Sequence, residues 1–290
     1  MDSHKSENML STAEYLDKLQ ERAPKDVLDI QTSMQFGAEN KYVTVNIDAK
    51  KKEFRNGIEI LHLTDVQFGH LACNVAKFIE YRDWILSESN RFVFFGGDMV
   101  DAATAISVAS PYENTVEPQS QVFQFCELAM PLRHRILGSV GGNHERRSSK
   151  AFGELGRLIA TVLKIPYSSG KQFVDINYGE HKPFKNSLWH GGTGSKTKGA
   201  KAQMIHRYMV QGDSQVYWVG HLHDVLMVGD VRESRDEKGG IHLEKYCGVM
   251  SSSFLEHYGT YAEVAGLPAG DTQMWRLVLE PNGKWMMTLR

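Results

Sequence analysis

The sequence predicts an α/β fold, a sandwich of mixed sheets with helices on its outer faces. Two patterns carry that expectation: strand-like runs alternate with helical periodicity, and five of the runs end in the same kind of residue. The five are ILHLTDVQ (60–67), FVFFGGDMVD (92–101), RILGSVGGNHE (135–145), SLWHGG (187–192) and YWVGHLHD (217–224). Each is rich in Val, Ile, Leu and aromatics and breaks at Gly or a polar turn. Their endings carry Asp65, Asp98, Asn143, His190 and the pair His221/His223. In a sheet layered with helices, ligands collect in the loops at the carboxyl ends of strands, where side chains distant in sequence can meet. Carboxylate, amide and imidazole donors at five such ends predict a two-metal site.

The remaining elements follow in order. Residues 1–40 are polar, with an amphipathic helix expected over 11–22, where Tyr15, Leu16 and Leu19 share a face. Residues 41–47 alternate as an edge strand would. Residues 1–56 are therefore read as an N-terminal extension and 57–290 as the main domain. Val75, Phe78, Ile79, Arg82, Ile85 and Leu86 have helical spacing after the cap residue Asn74, and Phe152, Leu155, Ile159, Val162 and Leu163 repeat it after the third block. Residues 104–118 and 191–200 read as loops. Near the C-terminus, Glu280-Pro281-Asn282-Gly283 predicts a hairpin, since Asn-Gly suits a tight turn.

Composition excludes some classes. With 290 residues, 41% of them hydrophobic, the chain can bury a full core. A net charge of -2 gives no global pull toward nucleic acid or membrane. No run has transmembrane length, and the first residues lack a signal-peptide plan. Cys73, Cys126 and Cys247 are odd in number and without CxxC spacing, which argues against a disulfide framework or zinc ribbon and for a reducing, cytoplasmic setting.

The blocks DxQ (Asp65, Gln67), GDMVD (97–101), GNHE (142–145), the lone His190 and GHLH (220–223) occur in the order of the calcineurin-like metallophosphoesterases, and the chain resembles that family over about half its length. The resemblance implies a four-layer αββα sandwich of two mixed sheets flanked by helices. It also implies Asp98 as the carboxylate bridging two divalent ions, with Asp65, Gln67 and His223 completing one and Asn143, His190 and His221 the other. Two such ions lower the pKa of a shared water and clamp the phosphoryl oxygens of a phosphoester during in-line attack. By the same resemblance His144 protonates the leaving group and Asp101 orients it.

Oxygen and imidazole donors suit manganese, iron or zinc better than calcium. Gln67 stands where most family members have His. Its harder, neutral oxygen should bind zinc less well, so manganese is the first expectation and zinc, iron or magnesium the alternatives. Enzymes similar to the manganese-dependent ADP-ribose pyrophosphatases also carry Gln there. His62, inside the first run, His206 and Trp189 read as structural, and the GGTGSK stretch (191–196) as a site loop that lacks P-loop spacing.

The substrate is less legible. Arg133, Arg135, Arg146, Arg147 and Lys150 surround GNHE, and residues 181–211 carry Lys182, Lys185, Lys196, Lys198, Lys201 and Arg207 with no acid between His181 and Gln211. These could draw a polyanion such as DNA or RNA along the site, or be solvated faces; Arg146 and Arg147, with Asn143, are candidate phosphate contacts. The Ser/Thr protein phosphatase branch typically shows Arg after the second block and before the third, where this chain has Ala102 and Gly141. A phosphodiesterase acting on nucleic acid or a nucleotide is the expected function. A non-catalytic or nucleic-acid-binding module on the same fold is the alternative.

Overall fold

The computed structural model describes residues 39–104, 111–147, 153–192, 194, 196–235, 239–258, 263 and 270–290. The helix expected over 11–22, together with Lys150 and Phe152, lies outside these. The chain divides into two compact units, Met1–Glu39 and Asn40–Arg290, and the second carries all the elements below.

Among the described residues eleven strands form two sheets. One has the order β11-β10-β2-β3-β4, built from β2 (Ile58–Leu63), β3 (Arg91–Phe95), β4 (Ile136–Ser139), β10 (Trp275–Leu279) and β11 (Trp285–Leu289). The other has the order β1-β5-β6-β7-β9-β8, from β1 (Tyr42–Ile47), β5 (Gln172–Tyr178), β6 (Phe184–Trp189), β7 (Val216–Val219), β8 (Leu226–Arg235) and β9 (Ile241–Met250). Strands β2, β3 and β4 are mutually parallel, as are β6, β7 and β9. Within each set the carboxyl ends therefore share one edge. Strand β1, read from sequence as part of the extension, pairs along its whole length with β5 and so belongs to the second sheet.

The period-2 pattern explains the layering. In β3, Phe92 and Phe94 face the other sheet while Val93 and Phe95 face helices, and all four are buried. The inter-sheet core is completed by Ile58, Ile60, Val174, Ile176, Leu188, Val216, Trp218 and Leu277. Helices α1 (Val75–Leu86), α2 (Pro118–Ala129) and α4 (Leu155–Leu163) cover the first sheet through Phe78, Tyr81, Val122, Phe125, Ile159 and Leu163. Helix α5 (Lys198–Met209) covers the second through Met204, Ile205, Tyr208 and Met209. The result is helix, sheet, sheet, helix, the four-layer sandwich that the sequence predicts.

Local signals act where expected. Asn74 caps α1 by accepting from the Lys77 N–H at 2.8 Å. The β10–β11 hairpin turns at Gly283, whose φ of 80° suits glycine. The three cysteines are unpaired, and burial pushes each thiol up to about 12, which keeps them protonated. Among the described residues no helix is long and apolar enough to cross a membrane.

Candidate metal centre

The five loops meet at the shared edge. Asp65 follows β2, Asp98 follows β3, Asn143 opens the short helix α3 (Asn143–Arg147) after β4, His190 follows β6, and His221 and His223 follow β7. Asp98, His190 and His221 present ligand atoms that all lie within 4.8 Å of one another, a candidate metal site.

On one side, His190 Nε2 lies 3.0 Å from Asp98 Oδ2 and 3.1 Å from Asn143 Oδ1. Its other nitrogen, Nδ1, lies 2.8 Å from the Gly96 carbonyl, which can only accept. Nδ1 therefore carries a proton, and Nε2 turns toward the carboxylate and amide oxygens, the posture of an imidazole ligand held by an outer hydrogen bond. On the other side, His223 Nε2 is 3.1 Å from Asp65 Oδ1 and 3.0 Å from the Gln67 amide. Asp65 is fixed by the Thr64 hydroxyl at 2.6 Å and by the His221 N–H at 2.9 Å. Asp65, Gln67, Asp98 and His190 are buried.

Nitrogen and oxygen acceptors in this density demand a positive charge. Burial alone would make His190 less basic, but Asp98, Asp65 and Glu145 more than reverse this and push it up to about 10. Asp98 and Asp65 are held below the usual carboxylate range: burial works against their charge, and His190 outweighs it only together with His144 at Asp98 and His223 at Asp65. The donor set fits a divalent cation, which would supply the charge otherwise carried by the His190 proton. The sign of the pH dependence follows. His190 is raised from its ordinary 6.5, so in metal-free protein its ion pairing stabilises fully below pH 6.5 and is lost as pH rises through about 10. A metal ligated by His190 must displace that proton, so affinity should climb with pH across the same window by about tenfold per unit. Calorimetric manganese titration at pH 7.5 in two buffers of different ionisation enthalpy should show about one proton released per site filled at His190. Proton-neutral binding would remove His190 from the ligand set.

The loops that carry these side chains are sharply bent. Among the described residues seven non-glycine residues have positive φ, and five are Asp65, Gln67, Asp98, His221 and His223, with φ between 49° and 72°. This left-handed region is unfavourable for residues with a Cβ, and its occupation clusters at functional sites. Glycines fill the gaps between loops. A Cβ on Gly220 would lie 2.1 Å from Thr64 Oγ1 and 2.6 Å from Asp65 Oδ2.

A second buried imidazole, His144, lies beside these donors. His144 Nδ1 lies 2.9 Å from Asp101 Oδ1 and 3.0 Å from the Asp101 carbonyl, two acceptors that again place a proton on Nδ1. The His144 backbone N–H donates to Asp98 Oδ1 at 2.8 Å, and Nε2 lies 3.6 Å from Asp98 Oδ2. Burial disfavours charge on His144, yet Asp98 and Asp101 raise its pKa overall, with Arg147 opposing.

Arg147 lies 2.8 Å from His144 Nε2 and donates to the Asp101 carbonyl at 3.2 Å. Arg146, by contrast, is engaged with the carbonyls of Gly141 and Ser169, and its Nε is 3.9 Å from Glu154. Only Arg147 of the two touches the site. In the basic stretch, Lys185 pairs with Asp213, and Lys198 and Lys201 with Asp224.

Sequence reasoning missed Glu145. It is buried and accepts from the N–H groups of Asp98, Met99 and Gly142, so one carboxylate ties the β3 loop to the β4 loop. Burial, and then Asp98, push it up to about 7. Its place as the last residue of GNHE was the only sequence signal. His62, read as structural, is buried between the sheets, hydrogen-bonded to Ser251 at 3.0 Å and lowered to about 3 by burial, hence neutral.

No protein-family model matches the chain, and no curated protein does. Similar solved structures are distant. They include a metallophosphoesterase from Sphaerobacter thermophilus (16% identity, TM-score 0.38, covering 80% of this chain and 87% of that one). A predicted phosphoesterase from Streptococcus pneumoniae TIGR4 has 13% identity and a TM-score of 0.33, covering 81% and 98%. Vps29 from Chaetomium thermophilum has 10% identity and a TM-score of 0.39, covering 80% and 94%. Likeness at this distance transfers no activity. The described strands and helices form a four-layer sandwich of two mixed sheets flanked by helices.

Proposed function

We propose that this chain is a divalent-metal-dependent phosphoesterase, with a phosphodiester of nucleotide chemistry as its substrate class. The observation that carries the reading is the convergence of Asp98, His190 and His221 beside a buried imidazole, His144, backed by its own carboxylate. Asp65, Gln67 and His223 would hold one ion, Asn143, His190 and His221 the other, and Asp98 would serve both. When bound, two such ions supply charge neutralisation of the phosphoryl oxygens and a water of lowered pKa. Manganese is the first expectation, because a neutral amide oxygen at Gln67 favours harder ions than zinc.

The chain's own residues do the rest. His144 keeps Nδ1–H on Asp101, which leaves Nε2 as the atom that gives a proton to the leaving oxygen. Arg147 covers Nε2 before substrate arrives, and a bound phosphate draws its guanidinium away, because a doubly accepting anion is the better partner for that fork. Three lysines of the basic stretch are already paired with acids, which favours a nucleotide-sized substrate over a long polyanion.

The test is hydrolysis of a phosphodiester and a matching monoester by metal-stripped protein, with manganese, magnesium and zinc added back in turn. Manganese-dependent diester cleavage supports the reading. Metal binding without turnover would point to a binding module instead. Gln67→His should raise zinc affinity relative to manganese; an unchanged titration would take Gln67 out of the ligand set.

A further inference from the structure

A line of hydrogen bonds leads away from His144 into α2, and every amide in it has only one consistent orientation. Gln121 is fully buried in the first turns of α2. Its Oε1 accepts from the Ala102 N–H at 2.8 Å, because a backbone N–H can only donate. Its Nε2 therefore faces the Val116 carbonyl, at 2.9 Å, and the Oδ1 of Asn114. With Oδ1 occupied, Asn114 turns Nδ2 to Asp101 Oδ2, at 2.9 Å, where the carboxylate needs a donor. Asp101 is left with Oδ1 for His144 Nδ1, at 2.9 Å. Gly69 makes room for the amide: a Cβ there would lie 2.4 Å from Gln121 Cδ.

We propose that Gln121 and Asn114 are positioning residues for His144, a relay that assigns each oxygen of Asp101 and so aims the imidazole. The proposal rests on the acid role of His144 given above. In that step a water-derived oxygen bonds to phosphorus as the P–O bond to the leaving group breaks, the electron pair of that bond stays on the leaving oxygen, and the proton that Nε2 takes up from solvent once Arg147 has moved to the phosphate passes to that oxygen. The imidazole ends neutral with Nδ1–H retained. A carboxylate with one oxygen undonated is free to rotate, and Arg147 Nη1, 3.6 Å from Asp101 Oδ1, competes for it. Asn114 removes that freedom and Gln121 fixes Asn114. Neither touches a candidate ligand, so their loss should leave metal binding intact.

Leaving-group chemistry tests this in the manganese-loaded enzyme. Bis(4-nitrophenyl) phosphate expels a phenolate that leaves without a proton, whereas the dinucleotide thymidylyl-thymidine expels an alkoxide that needs one. Asn114→Ala and Gln121→Glu should lower kcat on the dinucleotide about tenfold or more, the equivalent of one charge-assisted hydrogen bond, with kcat on the nitrophenyl diester within about twofold. Gln121→Glu is isosteric and keeps the bond from Ala102 but has no N–H for Asn114; Gln121→Met, close in volume and without a buried charge, is the second variant if the carboxylate against the Val116 carbonyl destabilises. Equal loss on both substrates, or no loss on either, overturns the relay. His144→Ala run alongside should show the same selectivity more strongly. If it does not, the acid assignment itself falls; if it does and the relay variants do not, the relay alone falls.

Discussion

Asp98→Ala should abolish binding at both ion positions, whereas removing a donor from one side should cost only one ion. Asp98 lies where the two halves of the centre meet, with Oδ2 3.0 Å from His190 Nε2 and Oδ1 receiving the His144 N–H. Without it His190 and His221 lose the anion that draws a cation between them. A weakening on the order of 100-fold or more at each site is expected, since the binding energy of a metal site is divided among few donors. Calorimetric titration with manganese should give two ions for the native chain, one for His223→Ala and none for Asp98→Ala at the same concentrations. One remaining ion in Asp98→Ala would mean that Asp98 serves a single metal and is not the bridge.

A second large effect is expected from a substitution that adds a single methyl and removes no donor. Gly142→Ala would place its Cβ 1.9 Å from Asp98 Oδ1 and 2.3 Å from Asp98 N. The clash is with backbone and with a side chain held on several sides, so neither can give way cheaply. It would pull apart the β3 and β4 loops that Glu145 joins. Overpacking of this kind costs roughly 1–3 kcal/mol of stability, and here the displaced atom also belongs to the carboxylate proposed as the bridge. Denaturant unfolding and manganese titration should therefore both move, in the same variant. A variant with native stability and native affinity would show that the two loops are much less tightly coupled than the structure has them.

What was legible in the sequence were features with local causes. Strand ends announced themselves by apolar runs breaking at Gly, and with them came Asp65, Asp98, Asn143, His190, His221 and His223. The Asn74 cap and the turn at Gly283 were equally local. What was not legible is pairwise and distant. Glu145 matters because it bonds backbone around Asp98, 46 and 47 positions away. The pairing of β1 with β5 spans about half of the unit, and its alternation alone could not say which edge it joins. Arg146 and Arg147 are neighbours with the same charge, and only the turn of α3 decides that one reaches His144 while the other is engaged with Gly141 and Ser169. Strand β9 runs parallel to β7 and delivers Ser251 and Phe254 beside the donor loops, where Ser251 holds His62 and the Phe254 N–H donates to the Asp65 carbonyl. That segment carries no metal-type residue, so nothing in its composition marked it.

The left-handed donor loops set a limit on how robust this molecule can become. Each of Asp65, Gln67, Asp98, His221 and His223 sits in a conformation costing roughly 1–2 kcal/mol for a residue with a Cβ. Glycine at Gln67, His221 or His223, whose side chains hold no backbone group, would relax the backbone, and would delete a candidate donor in the same stroke. Selection for heat resistance alone should therefore erode the centre, with apo variants outlasting active ones. Lys164 escapes the conflict: it ends α4 with φ 57° and stands outside the donor loops. A more thermostable version of this chain with its candidate metal centre intact would be sought there, at the helix terminus, before anywhere near the donor loops.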